Sequence, residues 1–113
     1  MVQIPTRLTD AAALAEAITG QVHDQWIDLD EIAFDQNERL VSIPLRKSKR
    51  GTVTQTMRIR SVDELIIHDS ERIGSYDVSH VTIDPGDSVL AIHGNIPLRI
   101  DIHVSMPAGI SLE

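Results

Sequence analysis

The strongest local charge signal in this 113-residue chain is a basic segment. Six of the ten cations lie between residues 46 and 60, where there is no acid, so this segment carries +6 and the rest of the chain −13. A cluster of this kind attracts phosphate groups, an RNA backbone or the acidic surface of a protein. The six cations are Arg46, Lys47, Lys49, Arg50, Arg58 and Arg60.

Two interpretations of the basic segment fit the sequence about equally. In the first, residues 46–50 form a contact surface for an acidic protein partner or for the acidic part of a second copy, with Arg58 and Arg60 extending it. In the second, they form a solvated hairpin tip whose lysines discourage edge pairing. Nucleic acid is a weaker candidate partner, because the chain is acidic overall and holds only three aromatic residues for base stacking.

A second candidate site is the acidic segment that runs from His23 to Asp35. Its carboxylates and its histidine are the ligand types that hold divalent metals, and the weak candidate ligands are His23, Asp24, Asp28 and Asp30. The adjacent pair His23 and Asp24 also suits a general base oriented by a carboxylate. The spacing matches no calcium loop, however, and the competing interpretation is that these carboxylates cap turns.

Several classes of chemistry lack their residues in this sequence. The chain has no cysteine, no HExxH or G-x-S-x-G pattern and no phosphate-cradling glycine motif, and its six glycines are scattered. We therefore expect no cofactor and a non-catalytic binding or interaction module. The alternatives are a small enzyme or metal-binding protein that uses the acidic segment, and phosphate or nucleic-acid binding through the basic segment.

The N-terminal part of the chain has the pattern of one helix, at about residues 9–19. Thr9 suits its N-cap, Leu14 and Ile18 fall on its apolar face, and Gly20 suits its exit. The expected role of this helix is to cover a sheet.

After Gly20 the apolar residues recur at every second position, which is the period of strands. Alternating patterns span residues 53–60 and 96–104, and a short apolar run at 65–68 predicts another strand between them. The tail 106–113 contains proline and glycine, and we expect it to be loose.

The pattern of residues 27–43 recurs at 76–92, an offset of 49 without a gap. Three positions are identical, namely Asp28 with Asp77, Asp35 with Asp84, and Ile43 with Ile92. We expect the first aspartate of each copy to cap a single turn and the second to end a strand before a tight loop. Adding the next strand to each copy gives repeat one at 27–60 and repeat two at 76–104.

The last hairpin has a predicted register. Gly94 and Asn95 suit a two-residue type II′ turn, which pairs His93 with Ile96 and directs His93 to the apolar face. Residues 89–93 are then apolar on both faces and form a central strand, on which Val81 and Ile83 meet Leu90 and Ile92.

These patterns together predict one α+β domain over residues 1–113. We expect one N-terminal helix packed on an antiparallel β-sheet, arranged as a roll or small barrel built from two repeated three-stranded meanders. No apolar run is long enough to cross a membrane, and no secretory pattern opens the chain, so we expect a cytoplasmic protein. A protein partner or self-association is the expected interaction, with no membrane contact.

Overall fold

The computed structural model describes residues 2–4, 11–95, 98–105 and 109–113. These ranges contain one α-helix, one 3-10 helix and ten strands. In chain order they are β1 (Val2–Ile4), α1 (Ala11–Val22), β2 (Trp26–Asp28), the 3-10 helix (Leu29–Glu31), β3 (Ala33–Asp35), β4 (Leu40–Arg46), β5 (Val53–Ile59), β6 (Val62–Asp69), β7 (Ser75–Asp84), β8 (Val89–Gly94), β9 (Leu98–Val104) and β10 (Ile110–Leu112).

The helix α1 runs further than the sequence pattern predicted. Gly20 lies inside it, and Asp24, with φ 64°, takes the left-handed position that we had expected of Gly20 at the exit. The N–H of His23 still donates to the carbonyl of Thr19 at 2.8 Å, which closes the last turn. The predicted start at Thr9 lies outside the described residues.

All strand pairs in the sheet are antiparallel, as the alternating patterns predicted. The strand order is β1-β10-β5-β4-β2-β7-β8-β9-β6. The short strand β3 is not part of this order and pairs with β4. Within the described residues the sheet ends in two edge strands, so it is not a closed barrel. We call β2–β5 with β10 the first half, and β7–β9 with β6 the second half.

One hydrophobic core joins the helix and both halves. Alternate residues of β4, β5 and β9 are buried with one face of α1, as the period of two and the helical spacing predicted. In β8 all four residues from Val89 to Ile92 are buried, as expected of a central strand. The helix also supplies a hydrogen bond to the edge of β7, because the Val81 N–H donates to Thr19 Oγ1 at 2.9 Å. The predicted combination of one N-terminal helix and an antiparallel sheet is therefore confirmed.

Two hairpins of the sheet share their turn geometry. In the β3–β4 hairpin, Asp35 pairs with Leu40 and its Oδ1 accepts the N–H groups of Asn37 and Glu38 at 3.0 and 3.1 Å. A left-handed Arg39 (φ 54°) closes this turn.

The β7–β8 hairpin repeats these contacts 49 residues later. Asp84 pairs with Val89, and its Oδ1 accepts the N–H groups of Gly86 and Asp87 at 2.9 and 3.2 Å. A left-handed Ser88 (φ 54°) closes this turn. A carboxylate that binds two backbone N–H groups fixes each loop as a tight turn.

The first aspartates of the matching segments 27–43 and 76–92, Asp28 and Asp77, differ in their contacts. Asp28 caps the 3-10 helix as expected, with its Oδ1 3.0 Å from the Asp30 N–H. Asp77 caps no turn, because it lies inside the continuous strand β7 and accepts the Asn95 side chain at 2.5 Å. The 3-10 turn of the first segment is matched in the second by a smaller irregularity, a β-bulge between Val78 and His80.

The predicted register of the last hairpin was wrong. His93 pairs with Arg99 instead of Ile96, and Ala91 pairs with Asp101. His93 therefore lies on the polar face and not on the apolar one. The predicted contact of Val81 with Ile92, and of Ile83 with Leu90, is present.

Each half is completed by a strand that follows the other half in the chain. β6 follows β5 in the chain but pairs with β9, whereas β10 follows β9 but pairs with β5. The segment at 65–68 is a strand, as predicted. The tail is not loose where the structure describes it, because Ile110 and Leu112 are buried in β10 between β5 and β1.

Candidate functional site

The basic segment begins as a six-residue connection, residues 47–52, between β4 and β5. Lys47, Lys49 and Arg50 are all exposed there. None of the ion pairs formed among the described residues involves these three cations. We call Lys47, Lys49 and Arg50 the basic tip.

Arg46 anchors the base of the tip and is not part of its free charge. Its Nε and Nη2 lie 3.1 and 2.6 Å from Glu31 Oε1, and its Nη1 donates to the Gly51 carbonyl at 2.5 Å. The hydrogen bond to the Glu31 carboxylate raises the pKa of Arg46 above its usual value, so this guanidinium stays charged. The 3-10 helix, which carries Glu31, therefore holds the tip in place.

The other two basic residues lie away from the tip. At about 3.3 Å per residue along β5, Arg58 and Arg60 are roughly 20 Å from it. Arg58 also forms an ion pair with Glu113, with 2.9 Å between Nε and Oε2. The structure thus separates the six cations into an anchor, a tip of three, and two residues that do not extend the tip.

The acidic segment is used mainly for local structure. Asp28 caps the 3-10 helix, Glu31 binds Arg46, and Asp35 closes the β3–β4 turn. His23 and Asp24 do form a pair, with 3.2 Å between Nδ1 and Oδ2, but their side chains are 56% and 71% exposed. In the part of the chain that the structure describes, no three His, Asp or Glu side chains form a group able to hold a metal ion.

The outer face of the second half carries a histidine-rich surface that the sequence patterns did not predict. The strand pairing places His80 beside His93, His93 beside Arg99, and Arg99 beside His68, in one row across four strands. His103 lies on the same face, four residues after Arg99 on β9. We call the outer surface with His68, His80, His93 and His103 the histidine face.

The side chains of this face form a polar network. The rings of His80 and His93 are stacked, with centroids 4.4 Å apart, and His93 Nε2 lies 3.0 Å from Thr82 Oγ1. The Asp101 carboxylate accepts a hydrogen bond from Arg99 Nε at 2.6 Å, and its other oxygen lies 3.2 Å from His68 Nε2. Partial burial lowers the pKa of His93 below its usual value, and the charges of His80 and Arg99 lower it further by a smaller amount.

An open groove of about 410 Å³ runs along the histidine face. Most of its lining residues are polar, and Val89 and Ala91 are the apolar ones. The residues that line it are Thr82, Asp84, Asp87, Val89, Ala91, Arg99, Asp101 and His103. Alternation along β7 and β9 predicts that Thr82, Arg99 and Asp101 point outward. Which of these residues are neighbours across strands depends on the register, and the predicted register of β9 was wrong.

Comparison with known proteins adds no functional assignment. No family model, curated protein or solved structure matches the chain. Among the described helices, none combines the length and apolar character that a bilayer crossing requires.

Proposed function

We propose that this chain is a small non-catalytic interaction module that binds an acidic protein surface through the basic tip. One observation carries the proposal, namely that Lys47, Lys49 and Arg50 are exposed together on a connection whose base is fixed by the Glu31–Arg46 pair. Charges held on an anchored hairpin lose little freedom on binding, which favours association.

The geometry of the tip supports a docking role. The Gly51 N–H donates to the Ser48 carbonyl at 3.1 Å, so the connection folds back on itself. The corresponding connection between β8 and β9 has three residues, 95–97, and carries no cation. The longer, basic connection is thus a property of the first half alone.

The same features favour a protein partner over nucleic acid. The net charge of −7 opposes the approach of a nucleic acid, and three free cations give few phosphate contacts. Tyr76 is buried and Trp26 and Phe34 are half-buried, so no exposed aromatic ring accompanies the tip for base stacking.

The test compares what wild type and a tip variant retain from a lysate of the source cells. The variant Lys47→Ser/Lys49→Ser/Arg50→Ser removes the tip charge and leaves Arg46 in place. We expect an acidic protein to be retained by wild type, lost by the variant and released from wild type by salt, because exposed charge pairs are screened. Nuclease treatment should leave the capture unchanged.

A control removes two exposed cations elsewhere in the chain. The variant Arg60→Ser/Arg72→Asn should retain the same protein as wild type. Equal capture by the tip variant and wild type would refute the proposal, and capture that nuclease abolishes would favour a nucleic-acid partner instead.

We also propose that the two halves are copies of one unit of strands that diverged on their outer surfaces. Support comes from the offset of 49 residues, from the matching carboxylate turns at Asp35 and Asp84, and from the pairing of Ile27 with its counterpart Tyr76 where β2 meets β7. On this proposal the tip is an addition to the first copy, and the histidine face belongs to the second.

A further inference from the structure

The edge strand β6 has an unpaired apolar middle. Among the described residues β6 pairs only with β9, and the sheet ends there. The middle consists of Leu65, Ile66 and Ile67, of which Ile67 is 38% exposed. Edge strands are commonly protected by lysine, proline or a bulge, and the stretch from Leu65 to Asp69 has none of these. This stretch is therefore open to pairing with another strand.

The hydrogen bonds at the end of β9 show which main-chain groups of β6 face the open edge. The Val104 N–H donates to the Ser88 carbonyl at 3.0 Å, on the side of β8, whereas the Ser105 N–H donates to the Ser61 carbonyl at 2.8 Å, at the start of β6. Because main-chain groups alternate along a strand, Asp101 directs its groups toward β6.

The partner of Asp101 is Ile66, which therefore turns its main-chain groups toward β9. Its neighbours Leu65 and Ile67 turn theirs to the open edge. The side chains of these two residues, opposite Ile102 and Ile100, lie on the core-facing side of the sheet. The edge thus offers two N–H and C=O sets that no described strand uses, next to apolar side chains.

The charges of this edge are carboxylates. β6 contains three acids and neither lysine nor arginine. Asp63 is paired with Arg39, whereas Glu64 and Asp69 belong to none of the ion pairs formed among the described residues. Glu64 and Asp69 flank the apolar middle on its two sides. The edge therefore repels an acidic strand and attracts a basic one.

We propose that β6 binds an extended basic segment of another protein as an added antiparallel strand. In this arrangement two apolar residues of the partner lie opposite Leu65 and Ile67, where main-chain hydrogen bonds form. A basic residue of the partner lies opposite Glu64 and a second one opposite Asp69. A second copy of this chain is a poorer occupant, because its β6 has no lysine or arginine to meet these carboxylates.

Cations near the edge limit where the partner can be basic. Arg99 is paired with His68 across β9 and β6, so the partner residue opposite His68 should be uncharged. Arg72 lies in the turn that follows β6, so the basic residue opposite Asp69 should be the first of the added strand.

The test measures binding of a capped peptide, Lys-Thr-Val-Thr-Val-Lys, to the full chain by isothermal titration calorimetry. In the proposed register its valines lie opposite Leu65 and Ile67, its first residue opposite Asp69 and its sixth opposite Glu64. We expect a dissociation constant of about 100 µM. A peptide with glutamate in place of both lysines should bind at least about tenfold more weakly.

Two methylated peptides separate strand pairing from charge attraction alone. Antiparallel pairing points the valine N–H groups at β6 and the threonine N–H groups away from it. Methylation of both valine nitrogens should weaken binding about tenfold, because it removes two hydrogen bonds. Methylation of both threonine nitrogens should weaken it much less. Equal effects of the two methylations would refute the proposal.

Variants of the chain test the register. Glu64→Lys should weaken binding of the basic peptide about fivefold, and glutamate as sixth residue of the peptide should restore it. Asp87→Lys makes the same change in net charge at an exposed loop residue of the same half, and should gain nothing from that glutamate. Circular dichroism checks that both variants fold. Equal behaviour of the two variants would refute the proposal, as would no binding of the basic peptide at about 1 mM.

The β6 edge and the basic tip fail independently. Lys47→Ser/Lys49→Ser/Arg50→Ser should leave binding of the basic peptide unchanged or slightly tighter, because the chain becomes more acidic. Glu64→Lys should leave capture of the acidic protein by the tip intact. Loss of peptide binding in the tip variant would contradict pairing through β6.

Discussion

The β3–β4 and β7–β8 hairpins have the same backbone but different outer surfaces. Each starts at an aspartate that binds two N–H groups of its loop, and each loop ends in a left-handed residue with φ 54°. Next to these hairpins the outward residues differ, since Pro44 of β4 pairs with Thr56 of β5 in the first half, whereas His93 of β8 pairs with Arg99 of β9 in the second.

In these two hairpins the turn carboxylate and the buried positions agree, while the outward positions differ. The first half has a long basic connection, held by the Glu31–Arg46 pair, and no histidine on its outer face. The second half has a short connection and carries four of the five histidines on one face. A search for function should therefore compare the two outer surfaces.

The largest expected effect tests whether matching core positions of the two halves contribute equally to stability. Ile43 and Ile92 occupy matching positions and are fully buried. Replacing either with alanine leaves a cavity, and each change should lower the free energy of unfolding by about 2–5 kcal/mol. Urea unfolding measures both, and a severe loss at one position with almost none at the other would break the equivalence.

The two carboxylate turns should respond alike to a smaller change. Asp35→Ala and Asp84→Ala each remove the acceptor of two backbone N–H groups, and each should cost about 1 kcal/mol, as the loss of a capping side chain does. Exposed Asp87→Ala, in the same loop as Asp84, serves as the control and should be close to neutral. Unequal costs for Asp35 and Asp84 would mean that the turns share geometry but not energetics.

The left-handed residues that close the turns should respond in opposite directions. Ser88→Gly should stabilise the protein by roughly 0.5 kcal/mol, since glycine accepts φ 54° without strain but loses more entropy on folding. Arg39→Gly should destabilise it, because Arg39 also holds Asp63 and Ser105. Thermal melts compare the two, and a gain in both would show that the Arg39 contacts add nothing.

A pH effect of smaller size should be specific to the second half. The pKa of His93 is lowered in the folded state. At pH values just below the usual histidine pKa, the unfolded chain therefore binds more protons than the folded chain. Stability from this group is present above about pH 6.5 and is lost as the pH falls through the folded value. His93→Gln should flatten the pH dependence of urea unfolding, and an unchanged slope would contradict this assignment.

The sequence predicted those features that depend on local patterns. The helix, the period of two and the turn residues around Asp35 and Asp84 all came from spacing and turn chemistry, and the basic tip came from charge. The end of α1 was misplaced because Asp24, and not Gly20, adopts the left-handed conformation.

The features that the sequence did not predict depend on long-range pairing. The exchange of β6 and β10 between halves joins segments far apart in the chain, and a register error of three residues at β9 moved His93 to the wrong face. The same error concealed the histidine face, which forms only when four strands are aligned. The attachment of Arg46 to Glu31, 15 residues away, also needed the structure.

On our proposal, the basic tip of the first half makes the contact with an acidic surface. The most direct measurement is a titration of the isotope-labelled chain with polyglutamate, followed by amide chemical shifts. We expect shifts confined to residues 46–52, absent in Lys47→Ser/Lys49→Ser/Arg50→Ser and reversed by salt. Shifts centred on the histidine face, or none at residues 46–52, would contradict it.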